Sequence, residues 1–277
     1  MNLFEFLVDY LNKQTLKKFP DFNTSELHYY YDEVPMYYVP NRLKVEKGKE
    51  SIYDIMKILA YTLTFPKFCN IHLLSKYDDV EEILNGFDPN YISILNENAL
   101  FEMFKTIIKP KCDNYWFGNT FNDSAWQHFS KAVISAAKYL LKYYKDFNSY
   151  INHIKENPKE ALKELNTIHG FGDYCAHKFL TFIGYFEYFY VDIRAVEVFK
   201  IFDSSVKDEK TFRLSLDKQA KKAGVLPYNL HQLIKLIVSG DYYNHRLHIR
   251  SSGGKGSLKG NLYKAVKLAF ENKLLDI

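Results

Sequence analysis

Apolar residues recur three and four apart along most of this chain. Ile52, Ile55, Met56, Leu59 and Leu63 form one such stripe, and Val133, Ala136, Ala137, Leu140 and Tyr144 form another. This period gathers side chains on one face of a helix. Val80, Ile83 and Leu84 predict a shorter helix stopped near Gly86 and Pro89, and residues 101–108 another, ended by Lys109 and Pro110. Asn122, Asp123 and Ser124 can cap a long helix running to about Tyr144. Residues 146–154 give a further short helix, and Pro158 suits the first turn of the one after it. Beyond Asp192 the pattern continues helical to Phe202, then over 212–222 and 229–238, with Gly224 and Pro227 between these two. Extended structure has one candidate region, 27–38, where Tyr and Val cluster as a short hairpin or an irregular amino-terminal arm. The pattern holds no internal repeat and predicts an all-α protein.

Composition narrows this picture modestly. A chain of 277 residues with 47% hydrophobic content can bury a sizeable core, as one large domain or two intimate subdomains. The net charge of +4 permits nucleic-acid binding without demanding it. Tyr and Phe are frequent, but coding bias accounts for part of that, so their number is not read as a base-stacking surface. Cys69, Cys112 and Cys175 are widely spaced and make no CxxC pair, zinc site or iron–sulfur ligand set. This low, odd count suits a reducing compartment. The first residues carry acid early and no small-residue cleavage site, and no apolar run approaches a membrane span. The expected location is intracellular. His72, His128, His169 and His177 make no HExxH-type pair, and no catalytic metal is expected.

The densest chemistry lies in residues 165–194. The pattern there is helix, Gly-x-Gly turn, helix, and then an aspartate opening another element. Gly170 and Gly172 flank Phe171, and Asp173 follows. Glycine tolerates positive φ and lets a backbone approach a ligand closely, and outward amides at the head of a helix can hold a phosphate oxygen. Lys178 lies on the second helix, and Asp192 follows Gly172 by twenty residues. The span therefore offers a backbone grip, an amine and a carboxylate. The tail differs: His245, Arg246, His248, Arg250, Lys255 and Lys259 punctuate a Ser-Gly-rich stretch over 251–260. It reads as a surface loop before a final helix over 262–274, or as a basic arm contacting phosphates.

The run Ile168-His169-Gly170-Phe171-Gly172-Asp173-Tyr174-Cys175-Ala176, followed by Val191-Asp192, resembles the helix-hairpin-helix (HhH-GPD) DNA glycosylase superfamily. His169 stands where proline is usual. The resemblance implies two helical subdomains with a DNA-binding cleft between them. It also implies that Gly170, Phe171, Gly172 and Asp173 hold the DNA backbone and that Asp192 is catalytic. In many 8-oxoguanine glycosylases with this hairpin a lysine sits two residues after the second glycine, a place taken here by Tyr174. Lys178, Leu180 and Phe182 instead match the archaeal 8-oxoguanine glycosylases, whose catalytic lysine precedes a phenylalanine that stacks on the flipped base. The stretch 223–230 resembles that branch too, although His231 and Lys235 stand where it has Asp and Trp. The resemblance runs with gaps over about 52–243 and is specific only between Ile168 and Arg194.

What the resemblance implies is a base-excision repair enzyme with AP-lyase activity that removes an oxidised purine such as 8-oxoguanine from double-stranded DNA as a monomer. The base is flipped out, a carboxylate stabilises the oxocarbenium-like state or activates the nucleophile, and an amine attacks C1′. No cofactor is expected beyond a monovalent cation held by the hairpin carbonyls when DNA is bound. Phe182, Trp116, Trp126 and His231 are candidates for the base pocket. Each residue has a second reading: Asp192 as a helix N-cap, Lys178 as an exposed helix lysine, Lys235 as a phosphate contact or a solvated residue. Similarly, the tryptophans read as core and His231 as a surface residue. The expected layout is an amino-terminal arm over 1–50, a glycosylase core over 51–245 with its hairpin at 165–184, and a basic loop with a final helix over 246–277. The alternatives are a monofunctional glycosylase of another lesion, a DNA-binding or base-hypermodification relative on the same scaffold, and a partner-binding helical protein whose Gly-Phe-Gly is only a turn.

Overall fold

The computed structural model describes residues 1–18, 20–21, 51–63, 78–112, 121–239, 265–272 and 274–275. Among these residues the regular structure is helical and no strand occurs. The chain divides into two compact units. One comprises Met1–Tyr38 with Val191–Ile277, and the other comprises Val39–Tyr190.

The first unit is discontinuous in sequence. It opens with α1, Leu3–Lys18. Asn2 and Glu5 cap this helix reciprocally: the Asn2 side chain accepts from the Glu5 amide, and the Glu5 carboxylate accepts from the Asn2 amide, both at 2.9 Å. Leu3, Phe4, Phe6, Leu7, Val8, Tyr10 and Leu11 are buried. An arm was expected over 1–50, but residues 3–18 instead form a helix built into a core. Its buried apolar residues lie between Leu3 and Leu11, interrupted at Glu5 and Asp9, and the rest of the helix is mostly polar. The extended candidates at 27–38 lie outside the described residues.

The second unit holds α2, Ile52–Leu63; α3, Asp78–Ile83; α4, Pro89–Ile94; α5, Glu97–Ile107; α6, Lys109–Cys112; α7, Asp123–Leu141; α8, Phe147–Glu156; α9, Pro158–Leu165; and α10, Asp173–Phe182. The first unit resumes with α11, Ile193–Phe199; α12, Glu209–Ala223; and α13, Pro227–Ser239. Residues 265–271 are helical, within the stretch expected as the final helix. Residues 245–260, including the basic Ser-Gly-rich stretch, lie outside the described residues.

In the second unit α7 packs against α2, α4 and α5. Val133, Ala136, Ala137 and Leu140 are buried on it as the stripe predicts, but Tyr144 is exposed. The helix ends at Leu141 and the next residues turn, which breaks the period. Asn122 caps α7 by accepting from the Ala125 amide at 3.0 Å. The helix α5 ends at Ile107, just before Lys109 and Pro110 as expected, and Pro110 lies in a further short helix, α6. Pro158 occupies the first turn of α9, where its missing N–H costs nothing. In the first unit, α1 packs on α12 and α13, and α11 packs on both as well. Phe199 and Phe212 meet edge to face at 5.2 Å, and Phe6 meets Phe202 at 6.3 Å. Each fully buried phenyl contributes about 1.5–3 kcal/mol relative to exposure.

Candidate functional site

The Gly-Phe-Gly segment is a turn between two helices. After Leu165 the chain tightens: the Thr167 amide donates to the Glu164 carbonyl, Ile168 to Leu165, and Phe171 to Ile168, at 2.9, 3.1 and 2.9 Å. Ile168 and Phe171 turn inward and are buried, so the apolar members of the motif hold the turn to the core. Across the turn the Asn166 side-chain amide donates to Asp173 at 2.6 Å, and the His169 backbone amide donates to Ser135 Oγ at 2.9 Å.

The two glycines have different reasons to be glycine. Gly170 has φ of +78°, which strains any side chain, and a Cβ there would lie 2.7 Å from His128 Nε2, so the imidazole would have to shift. Gly172 has φ of −105°, which any residue adopts, and a Cβ would meet nothing within 4 Å. It is the N-cap of α10 and gives no side-chain cap. The first amides of a helix lack intrahelical acceptors, and the helix dipole adds partial positive charge there. Gly172 is thus bare on a side that the fold itself does not fill.

Lys178 sits in the middle of α10 and is 7% exposed, so it is not the solvated helix lysine of the second reading. Its Nζ lies 5.1 Å from the centroid of the Phe182 ring, one turn on, within cation–π range. Phe182 is half-buried and packs against Tyr61 with centroids 5.5 Å apart. Tyr174 meets the ring of Tyr190 edge-on at 5.2 Å. Trp126 is 7% exposed in the core, stacked on Phe121 at 5.2 Å and packed against Phe104 and Phe129. Its ring is taken up by these neighbours, so core packing replaces the expected base-pocket role. Trp116 lies outside the described residues.

In the first unit Asp192 is the N-cap of α11. One carboxylate oxygen accepts from the Arg194 amide at 2.9 Å and from Arg194 Nε at 3.0 Å; the other accepts from Arg194 Nη2 at 2.6 Å. The Asp192 side chain is 12% exposed and that of Arg194 is 64% exposed. Burial alone would raise the Asp192 pKa. The hydrogen bonds and charge of Arg194, with the charge of Lys235, outweigh it and hold the carboxyl below its ordinary value. The N-cap reading of Asp192 is therefore a fact of the structure, and it leaves the group ionised.

His231 is 1% exposed rather than a surface residue. Its Nε2 accepts from the Asp192 backbone amide at 3.4 Å, and its ring meets Phe212 edge-on at 6.0 Å. A ring this enclosed cannot read a base edge, so the expected pocket role gives way to support of Asp192. Lys235, one turn further along α13, is half-buried. Burial lowers its pKa, the carboxylate of Asp192 opposes that shift, and Arg194 adds to it. The solvated reading of Lys235 therefore fails. These two contacts were hidden from the sequence because they join residues about forty positions apart. The one available signal was their i,i+4 spacing on a helix after a Pro-Tyr-Asn start.

Cys175 is a buried free thiol pushed up to about 11 by burial, which leaves it protonated and poorly nucleophilic. Among the described residues no three His, Cys, Asp or Glu side chains converge on a metal position, and no helix is long and apolar enough to cross a membrane. Comparison with protein-family models, curated proteins and solved structures finds no match to this chain. The described residues are all-α, and further assignment rests on the hairpin and on Asp192.

Proposed function

We propose that this chain is a base-excision repair DNA glycosylase with AP-lyase activity, acting on an oxidised purine such as 8-oxoguanine in double-stranded DNA, on a helix-hairpin-helix glycosylase fold. The observation that carries this reading is the state of Asp192: a carboxylate mostly withdrawn from water and kept ionised, following a Gly-Phe-Gly turn whose second glycine is bare.

In this reading the turn at Gly170, Gly172 and Asp173 takes a phosphate of the DNA backbone, with the open Cβ side of Gly172 allowing its close approach. The Asp192 carboxylate stabilises positive charge on the sugar as the glycosidic bond breaks. Lys178 supplies the amine that attacks C1′, and Phe182 supplies the face on which the flipped base stacks. The protein acts as a monomer inside the cell and needs no cofactor, apart from a monovalent cation on the hairpin carbonyls with DNA bound. One observation favours a second reading. Lys178 is covered in the free protein, and if it stays covered Asp192 activates water instead and the enzyme is monofunctional.

Borohydride trapping on duplexes that each carry one lesion, 8-oxoguanine first, separates these outcomes. The bifunctional reading expects a covalent adduct with the wild type and none with Lys178→Gln. Base release without an adduct, lost in Asp192→Asn, establishes the monofunctional enzyme. Neither adduct nor release from any lesion overturns the glycosylase reading.

A further inference from the structure

The Gly-Phe-Gly turn is seated on α7. The His169 amide donates to Ser135 Oγ at 2.9 Å, and the ring centroids of His128 and His169 lie 4.9 Å apart. A Cβ at Gly170 would lie 3.5 Å from that of Ala132. His128, Ala132 and Ser135 follow one another at spacings of four and three, so the turn rests along one strip of the helix. Beside that strip stand Lys131 and Lys138, both exposed. Lys131 lies three residues after His128 and four before Ser135, and Lys138 lies three after Ser135, so both lysines border the seat. The turn and α7 belong to the same unit.

Elsewhere in the chain Lys13, Lys200, Arg213 and Lys267 each pair with an acid three or four residues away. Lys131 and Lys138 have no acid at those positions, and neither forms an ion pair among the described residues. Lys142 follows Lys138 by four residues, a like-charge spacing that weakens a helix. Beyond Asp123, α7 carries no carboxylate, and Asp123 itself is engaged by Lys105 at 3.1 Å. On the turn the single acid, Asp173, accepts from the Asn166 side chain at 2.6 Å. Positive charge without a partner inside the fold therefore collects along the edge of the turn.

We propose that α7 is part of the DNA interface: Lys131 and Lys138 each meet a phosphate of the duplex whose backbone passes the Gly-Phe-Gly turn. Two lysines seven residues apart on a helix are separated by about 10 Å along its axis, so they meet different phosphates rather than share one. Ser135 and His128 hold the turn in register with them. Lysine suits this task, because a mobile point charge neutralises phosphate without reading sequence. The surface extends the backbone grip given above for the turn and rests on that reading.

The test is salt-titrated binding of the full chain to a lesion-free duplex. It compares the wild type, the double variant Lys131→Gln with Lys138→Gln, and a control, Lys155→Gln with Lys159→Gln, which removes the same charge from α8 and α9. The logarithm of wild-type affinity should fall linearly with that of the salt concentration, and the α7 variant should show a slope shallower by about 1.8, from two contacts at roughly 0.9 each. The control should keep the wild-type slope. An unchanged slope in the α7 variant overturns the proposal, and so does an equal loss in the control, which would reduce the effect to net charge. No binding by the wild type at low salt overturns both the proposal and the reading of the turn. A shallower slope with no base release from any lesion supports the α7 interface and overturns the glycosylase reading alone. Base release with an unchanged slope does the reverse.

Discussion

The hairpin and the Asp192 corner organise polar groups in opposite ways. At the hairpin the features are in the backbone: the side chains of Ile168 and Phe171 face the core, the Gly172 backbone hydrogen-bonds the buried Cys175 thiol, and nothing lies within 4 Å of where a Gly172 Cβ would be. At Asp192 the chemistry is in a side chain, and every contact around it is committed: both oxygens to Arg194, the backbone amide to His231, and the surrounding charge to Lys235. The first region stays open at Gly172, as the proposed phosphate contact requires. The second gains by being crowded, as a carboxylate that must stay fixed and ionised should. Substitutions should therefore act differently in the two places.

The largest effect on stability is expected at Gly170. Gly170→Ala forces a side chain into φ of +78° and toward His128, at a cost of about 1–3 kcal/mol for the backbone alone. Urea unfolding measures it, and His128→Ala in the same background should recover only the steric part. The companion change, Gly172→Ala, sharpens the contrast. Its φ is open to alanine and its surroundings are empty, so no strain arises, but alanine is a poorer N-cap than glycine and stability should fall only by about 0.5–1 kcal/mol. Binding to duplex DNA should nevertheless weaken about tenfold, as expected when a charge-assisted amide contact of roughly 1.5 kcal/mol is blocked. An undiminished affinity in salt-titrated binding would remove the hairpin from the interface.

The smallest effect concerns the stability that Asp192 lends the fold. Asn caps a helix about as well as Asp, and the Arg194 partner is mostly exposed, so Asp192→Asn should cost no more than about 1 kcal/mol at neutral pH. The folded-state pKa lies below the ordinary aspartate value of 3.8. The contribution is therefore fully present above that value and is lost as pH falls through the lower folded value. Chemical denaturation of wild type and Asp192→Asn should show a gap at pH 6 that closes below about pH 4. A gap that widens on acidification would reverse the sign argued here.

Much of the second unit was legible because its helices carry separated signals: a cap, a stripe and a stop. Asn122 and Pro158 each do what their residue type predicts, as does Gly224 in the first unit, which ends α12 at φ of +70°. α1 was missed although Glu5, Asp9 and Asn12 break its apolar residues at helical spacing and the reciprocal Asn2–Glu5 cap marks its start. At the candidate site, the turn and the cap of Asp192 could be read from local sequence. The setting of His231, Lys235 and Trp126 could not, because burial there depends on helices distant in the chain. A histidine on an amphipathic helix looks the same in sequence whether its face meets solvent or another helix. The structure changes the roles assigned to these residues while leaving the helices that carry them in place.

The most direct test of Asp192 as the catalytic carboxylate is single-turnover base release from a duplex bearing one 8-oxoguanine, comparing wild type with Asp192→Asn at matched DNA occupancy. The account predicts release by the wild type and a rate lower by at least about a hundredfold in Asp192→Asn, the scale of a lost acid–base or charge-stabilising group, with the fold and duplex binding retained. Equal rates for the two proteins would contradict it.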